Sequence, residues 1–136
     1  MGKYITEQLV KNGKHRITAI TRAGGSSKIP DGVHTAAVDY DDPSSLVHAL
    51  AGQDALIITL ATTAPPDTQS KLIEAAAKAN VRWIMPNEYS PQFVSAAGKD
   101  IGVHDHVVAT RQQIERLGLS WTGLTCSYWY EVRSEE

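Results

Sequence analysis

Sulfur-bearing side chains and phenylalanine are scarce: the 136 residues contain one cysteine, Cys126, two methionines and one phenylalanine. A lone cysteine has no intrachain partner, so no disulfide framework holds the fold, and no charged start followed by an apolar run marks an export signal. The cytoplasm is the expected compartment. An excess of one charge is missing too. Thirteen Lys and Arg against fifteen Asp and Glu give a formal net charge of −2, with both signs interspersed. No basic stripe therefore offers itself to a nucleic acid or an anionic membrane surface, and a small soluble ligand fits better. Long apolar runs are also lacking. The longest, about residues 55–61, holds a threonine and falls far short of the roughly 20 residues that span a bilayer. Internal repeats and low-complexity tracts are absent.

What the sequence does contain is a regular alternation of β-branched runs and helical patterns. Residues 3–12 put Tyr4, Ile5 and Leu9 toward one side of a helix that ends at Asn12-Gly13. No strand precedes this helix. Residues 16–21 form a β-branched run cut off by Gly24-Gly25-Ser26-Ser27, and a second short strand, 35–39, follows the turn Pro30-Asp31-Gly32. Asp42-Pro43 supplies a cap and a first-turn proline for a helix that runs to about Ala51. Residues 55–60 are continuously apolar, the pattern of a central parallel strand covered on both faces. A helix over 67–80, a strand over 81–85 ended by Pro86, a helix over 105–117 and a strand over 119–124 complete the reading.

Five strands alternating with four helices predict an α/β fold with a parallel sheet, in a single domain over 1–130 followed by a charged tail over 131–136. In such sheets a ligand lies beyond the carboxyl ends of the strands. Four strand-end segments therefore matter most: Thr21-Arg22 with Lys28, then Val38-Asp39-Tyr40, then Thr59 to Pro66 with Leu60, Ala61, Thr62 and Thr63, then Pro86-Asn87-Glu88-Tyr89-Ser90.

In order and spacing these segments resemble the isoflavone-reductase-like and NmrA-like atypical short-chain dehydrogenases, and the stretch from Arg111 to Thr122 is similar to that group as well. The resemblance covers nearly the whole chain. It implies a Rossmann-like fold that binds NADP, with NAD as the second choice, and a hydride transfer to a small organic substrate. An arginine beyond the second family strand suits the 2′-phosphate of NADP, which a guanidinium grips as a fork; Lys28 would add a second charge. As plain chemistry, both also read as solvated surface residues. By the same resemblance Asp39 and Tyr40 lie at the adenine, residues 60–63 at the ribose and pyrophosphate, and Pro86, Asn87, Glu88 and Tyr89 at the nicotinamide end. Asp39 also reads as a loop carboxylate or helix cap, and Glu88 as a structural hydrogen-bonding group.

Two departures accompany the resemblance. Relatives carry a Gly-x-x-Gly-x-x-Gly turn after a first strand, and here only Gly2 falls on that pattern, at its third glycine. The strand and two glycines would lie ahead of Met1, so the second and fourth family strands lose the partner between them. Unpaired backbone there costs on the order of 1–3 kcal/mol per group unless the strands close the gap or another chain fills it. The second departure is catalytic: the family lysine position is Val107, with His104 and His106 as the nearest titratable groups. His104-x-His106 lacks a third ligand, so no metal is expected. The readings left open are an NADP-dependent oxidoreductase, a non-catalytic NADP-sensing regulator with a protein partner or a homo-oligomer, and an inactive truncated fragment.

Overall fold

The computed structural model describes residues 1–25, 28–89, 99 and 104–126. Helix α1 spans Gly2–Asn12, strand β1 Thr18–Arg22, strand β2 His34–Val38 and helix α2 Pro43–Leu50. Strand β3 follows at Ala55–Ile57, then helix α3 at Thr68–Lys78, strand β4 at Trp83–Met85, helix α4 at His104–Arg116 and strand β5 at Ser120–Trp121. The alternation read from the sequence is recovered in order, with bounds shifted by a few residues. Ser26, Ser27 and Ser90, the aromatic residues Tyr128, Trp129 and Tyr130, and the tail over 131–136 lie outside the described residues.

Local chemistry accounts for the helix ends. At α2 the Asp42 carboxylate accepts from the Ser44 amide at 2.9 Å with Pro43 in the first turn, which satisfies one of the amides left free at a helix start. At α1 the chain leaves through Gly13 at φ 68°, and its amide donates to the Val10 carbonyl at 3.0 Å; a side chain there would be strained.

Among the described residues all strand pairs are parallel. The described strands form two sheets, β1-β2 and β3-β4-β5, with Thr18 opposite His34 and Arg22 opposite Val38 in the first, and Leu56 opposite Ile84 in the second. The edge strands β1 and β3 do not pair, so the gap expected between them stays open. The core lies between helices α2, α3 and α4 and strands β2, β3 and β4, around Leu46, Leu50, Leu56, Ile73, Ile84 and Ile114.

Cover on both faces, expected for residues 55–60, is found on one. Leu56 and Ile58 are buried, whereas Ile57 is half-buried and Ala55 and Thr59 are exposed. The open gap explains the difference, because it also leaves α1 without a single buried residue and no residue of β1 fully enclosed. Ile5 and Leu9, one turn apart, keep a half-buried face; Tyr4, expected beside them, is 62% exposed.

Candidate functional site

Parallel strands send their carboxyl ends to one edge of each sheet. At the end of the first sheet, the Ala23 amide donates to the Val38 carbonyl at 3.0 Å and the Gly25 amide to the Arg22 carbonyl at 2.9 Å, so the turn after β1 is tied to the end of β2. Arg22 is exposed. Tyr40 is half-buried, and burial raises its phenol pKa while the positive charge of Arg22 pulls it back. Lys28 and Tyr40 lie on the wall of one cavity, and Arg22 ends β1 opposite Val38, on the strand that leads into Tyr40. Asp39 is engaged locally: its carboxylate accepts from the Asp41 amide at 2.9 Å and its own amide donates to Ser45 Oγ at 3.1 Å. The cap of α2 is Asp42, not Asp39.

At the second sheet, a Cβ built on Gly2 would sit 2.6 Å from Thr59 Oγ1, so only glycine lets α1 begin this close to the chain leaving β3. No side chain caps α1, and its first turn holds no acidic residue. Free amides and the positive end of the helix thus sit beside β3, a setting that favours an anion. Thr59, Ala61, Thr62 and Thr63 are exposed and Leu60 is half-buried, with a turn closed by the Ala64 amide on the Ala61 carbonyl at 3.0 Å.

Asn87 joins the ends of β3 and β4. Its side-chain oxygen accepts from the Leu60 amide at 3.2 Å, and its own amide donates to Gln69 Oε1 at 2.8 Å. Buried Gln69 reaches on to Thr110 Oγ1 at 3.4 Å, and Thr110 donates to the His106 carbonyl at 2.9 Å. A polar path therefore runs from the β3 turn into α4. Glu88, whose side chain is 6% exposed, receives Arg111 Nη2 at 2.7 Å and Arg111 Nε at 3.1 Å. The same guanidinium lies 4.4 Å from the centre of the Trp121 ring, and Trp121 Nε1 donates to Glu115 at 3.0 Å. Tyr89 is buried; burial first, and the Cys126 thiol second, push its phenol up to about 12. Pro86 is enclosed.

In the first turn of α4, His104 Nδ1 lies 3.0 Å from the exposed Asp105 carboxylate, His106 is exposed and Val107 is buried. Among the described residues no group of three or more His, Cys, Asp or Glu side chains is placed to hold a metal ion, and no helix is long and apolar enough to cross a membrane. Sequence reading missed Gln69, Thr110 and the pairing of Glu88 with Arg111. Gln69 and Thr110 sit among apolar helical positions with nothing to distinguish them from surface residues, and residues 88 and 111 are joined only by the folding of α4 onto the sheet.

The sequence model of the NAD(P)H-binding family matches residues 1–127. The oxidoreductase aprR of Aspergillus flavus is 29% identical over 99% of this chain and 47% of its own length. Among solved structures, an isoflavone reductase superposes with a TM-score of 0.78 at 24% identity, over 94% of this chain and 46% of the other. The Citrobacter triphenylmethane reductase, solved in complex with NADP(H), gives 0.69 at 24% identity over the same shares. These structures share a Rossmann-like fold with the chain, which spans about half the length of each of these relatives.

Proposed function

The chain belongs to the NAD(P)H-binding family, and on that footing we propose that it is a single dinucleotide-holding unit over 1–130 of an isoflavone-reductase-like oxidoreductase, with NADP(H) preferred. When bound, the cofactor supplies a hydride for a small organic substrate. The observation that carries this reading is that β1 and β2 end side by side, with Arg22 opposite Val38 and the turn after β1 bonded to the Val38 carbonyl, which brings an exposed guanidinium to the strand end that leads into Tyr40: a cation beside a flat ring suits an adenine whose ribose bears a phosphate.

The residues fit the group in three places. Arg22 and Lys28 would hold the 2′-phosphate, and Asp39 and Tyr40 would bound the adenine. Gly2, whose close approach to Thr59 leaves no room for a Cβ, and the uncapped start of α1 would face the pyrophosphate along the turn of Leu60, Ala61, Thr62 and Thr63. Asn87, held by Leu60 and Gln69, would fix the nicotinamide end together with Pro86 and Tyr89. Glu88 acts at one remove: neutralised by Arg111, it anchors the loop that carries Asn87. Among the described residues His104 pairs with the exposed Asp105 carboxylate, and His106 is exposed. Naming an NADP(H) complex, the Citrobacter relative supports the choice of cofactor.

Calorimetric titration of the purified chain with NADPH and NADH, alongside Arg22→Ala, tests this. The expected result is tighter binding of NADPH and a loss of roughly 10- to 100-fold for NADPH alone in the variant, the worth of charge-assisted hydrogen bonds. Equal affinity for both cofactors, unchanged in the variant, would remove the assigned role of Arg22.

A further inference from the structure

Gln69 is a polar residue on the apolar side of a helix. With Leu72, Ile73 and Ala76 it recurs at the spacing that lines one face of α3, and all four are buried, Gln69 to 7% exposure. An amide is tolerated in such a stripe only with its hydrogen bonds made, and both ends of this one are used. Gln69 Oε1 accepts from the Asn87 amide at 2.8 Å, and Nε2 donates to Thr110 Oγ1 at 3.4 Å. Thr110 sends its own proton to the His106 carbonyl, four residues back on α4, at 2.9 Å, so only its lone pairs face Gln69. The sense of the chain is thereby fixed: the nitrogen of the Gln69 amide turns to α4 and its oxygen to Asn87. At the other end, backbone pairing of β3 with β4 stops at the bond from the Ile58 amide to the Met85 carbonyl, 2.9 Å long, and the Asn87 side chain takes over. Its Oδ1 accepts from the Leu60 amide at 3.2 Å and its Nδ2 donates to the Leu60 carbonyl at 3.5 Å. One side chain holds both polar groups of Leu60, as a neighbouring strand would.

We propose that Gln69 is a positioning residue for the cofactor: by tying the Asn87 backbone to α4 it sets how the Asn87 side chain meets Leu60, and through Leu60 the placement of the turn over residues 60–63. The inference rests on the reading of that turn and of Asn87 as the pyrophosphate and nicotinamide side of the site. Gln69 acts only through Asn87. Its reach is confined to one end of the cofactor, because these hydrogen bonds join α3, α4 and the ends of β3 and β4, and none of them involves Arg22, Lys28 or Tyr40. A loss at Gln69 therefore divides the dinucleotide in two, weakening the hold on its pyrophosphate and nicotinamide half and leaving the adenine half as it was.

Two variants of the full chain test this. Gln69→Leu keeps the size of the side chain and suits the apolar stripe, and Thr110→Val leaves Gln69 in place but removes the atom that orients it. Without cofactor, exchange of the Leu60 amide followed by NMR should quicken about tenfold in Gln69→Leu, with the backbone-bonded Ile58 amide unchanged. Calorimetric titration then compares NADPH with adenosine 2′-monophosphate, which carries adenine, ribose and the 2′-phosphate but neither pyrophosphate nor nicotinamide. NADPH should bind about tenfold more weakly to Gln69→Leu, with a smaller loss in the same direction for Thr110→Val, and the monophosphate should bind both variants as it binds the parent. A merely structural role would weaken both ligands together. That outcome, an NADPH affinity equal to the parent's, or an unaltered Leu60 amide would each overturn the proposal. Should Gln69→Leu not fold, Thr110→Val carries the same comparison. A parent chain that binds neither ligand refutes the cofactor reading, and this inference falls with it; when the inference alone fails, the parent binds both.

Discussion

Among single residues, Glu88 shows how a motif position acquires its role from a distant partner. Its carboxylate is enclosed and doubly bonded to Arg111, whose guanidinium is in turn stacked on Trp121. Arg111→Ala removes the counter-charge of an enclosed carboxylate, and such a change costs about 3 kcal/mol. The urea midpoint should fall accordingly, and Glu88→Gln with Arg111→Ala together should recover part of the loss; a midpoint unchanged in Arg111→Ala would show the pair to be inert. The sequence made positions 86–89 legible as a strand-end turn because Pro86 stops an apolar run. It did not reveal which atoms Asn87 and Glu88 would meet, since Gln69, Leu60 and Arg111 are 18, 27 and 23 residues away. Arg22 stands differently: its place beyond β1 follows from the run before it, and its neighbour Tyr40 from the parallel register of β1 on β2.

Between elements, the decisive contact is that of α1 with the end of β3. Gly2→Ala would put a methyl group 2.6 Å from Thr59 Oγ1, and the β-branched Thr59 has little freedom to withdraw. The start of α1 must then shift, at a cost of about 1–3 kcal/mol, seen as a lower thermal midpoint. Thr59→Ala should restore most of it when combined with Gly2→Ala. Equal stability of Gly2→Ala and the parent chain would mean that the helix start is not held there. Every described helix and strand could be read from periodicity, because caps such as Asp42-Pro43 and stops such as Gly13 act on neighbouring residues. Their lengths were less legible. The apolar run 55–60 looks like one strand, yet regular pairing stops at Ile57 and the Ile58 amide makes a last bond to the Met85 carbonyl at 2.9 Å, since the length of a ladder depends on its partner.

At the level of the whole molecule, the order β2-β1 beside β3-β4-β5 with an open middle follows from the resemblance read in the sequence, and the gap between β1 and β3 explains why α1 and β1 lack enclosed residues. The same arrangement brings the ends of all four strands that precede the site segments to the sheet edges where the cofactor is proposed to lie. Hydrogen exchange of the full chain with and without saturating NADPH tests that claim most directly. Slower exchange at the amides of residues 22–25, 38–40 and 59–63, with the far end of α4 around residues 112–116 unchanged, is the predicted result. Protection confined to other segments, or none in a chain that stays folded, would contradict it.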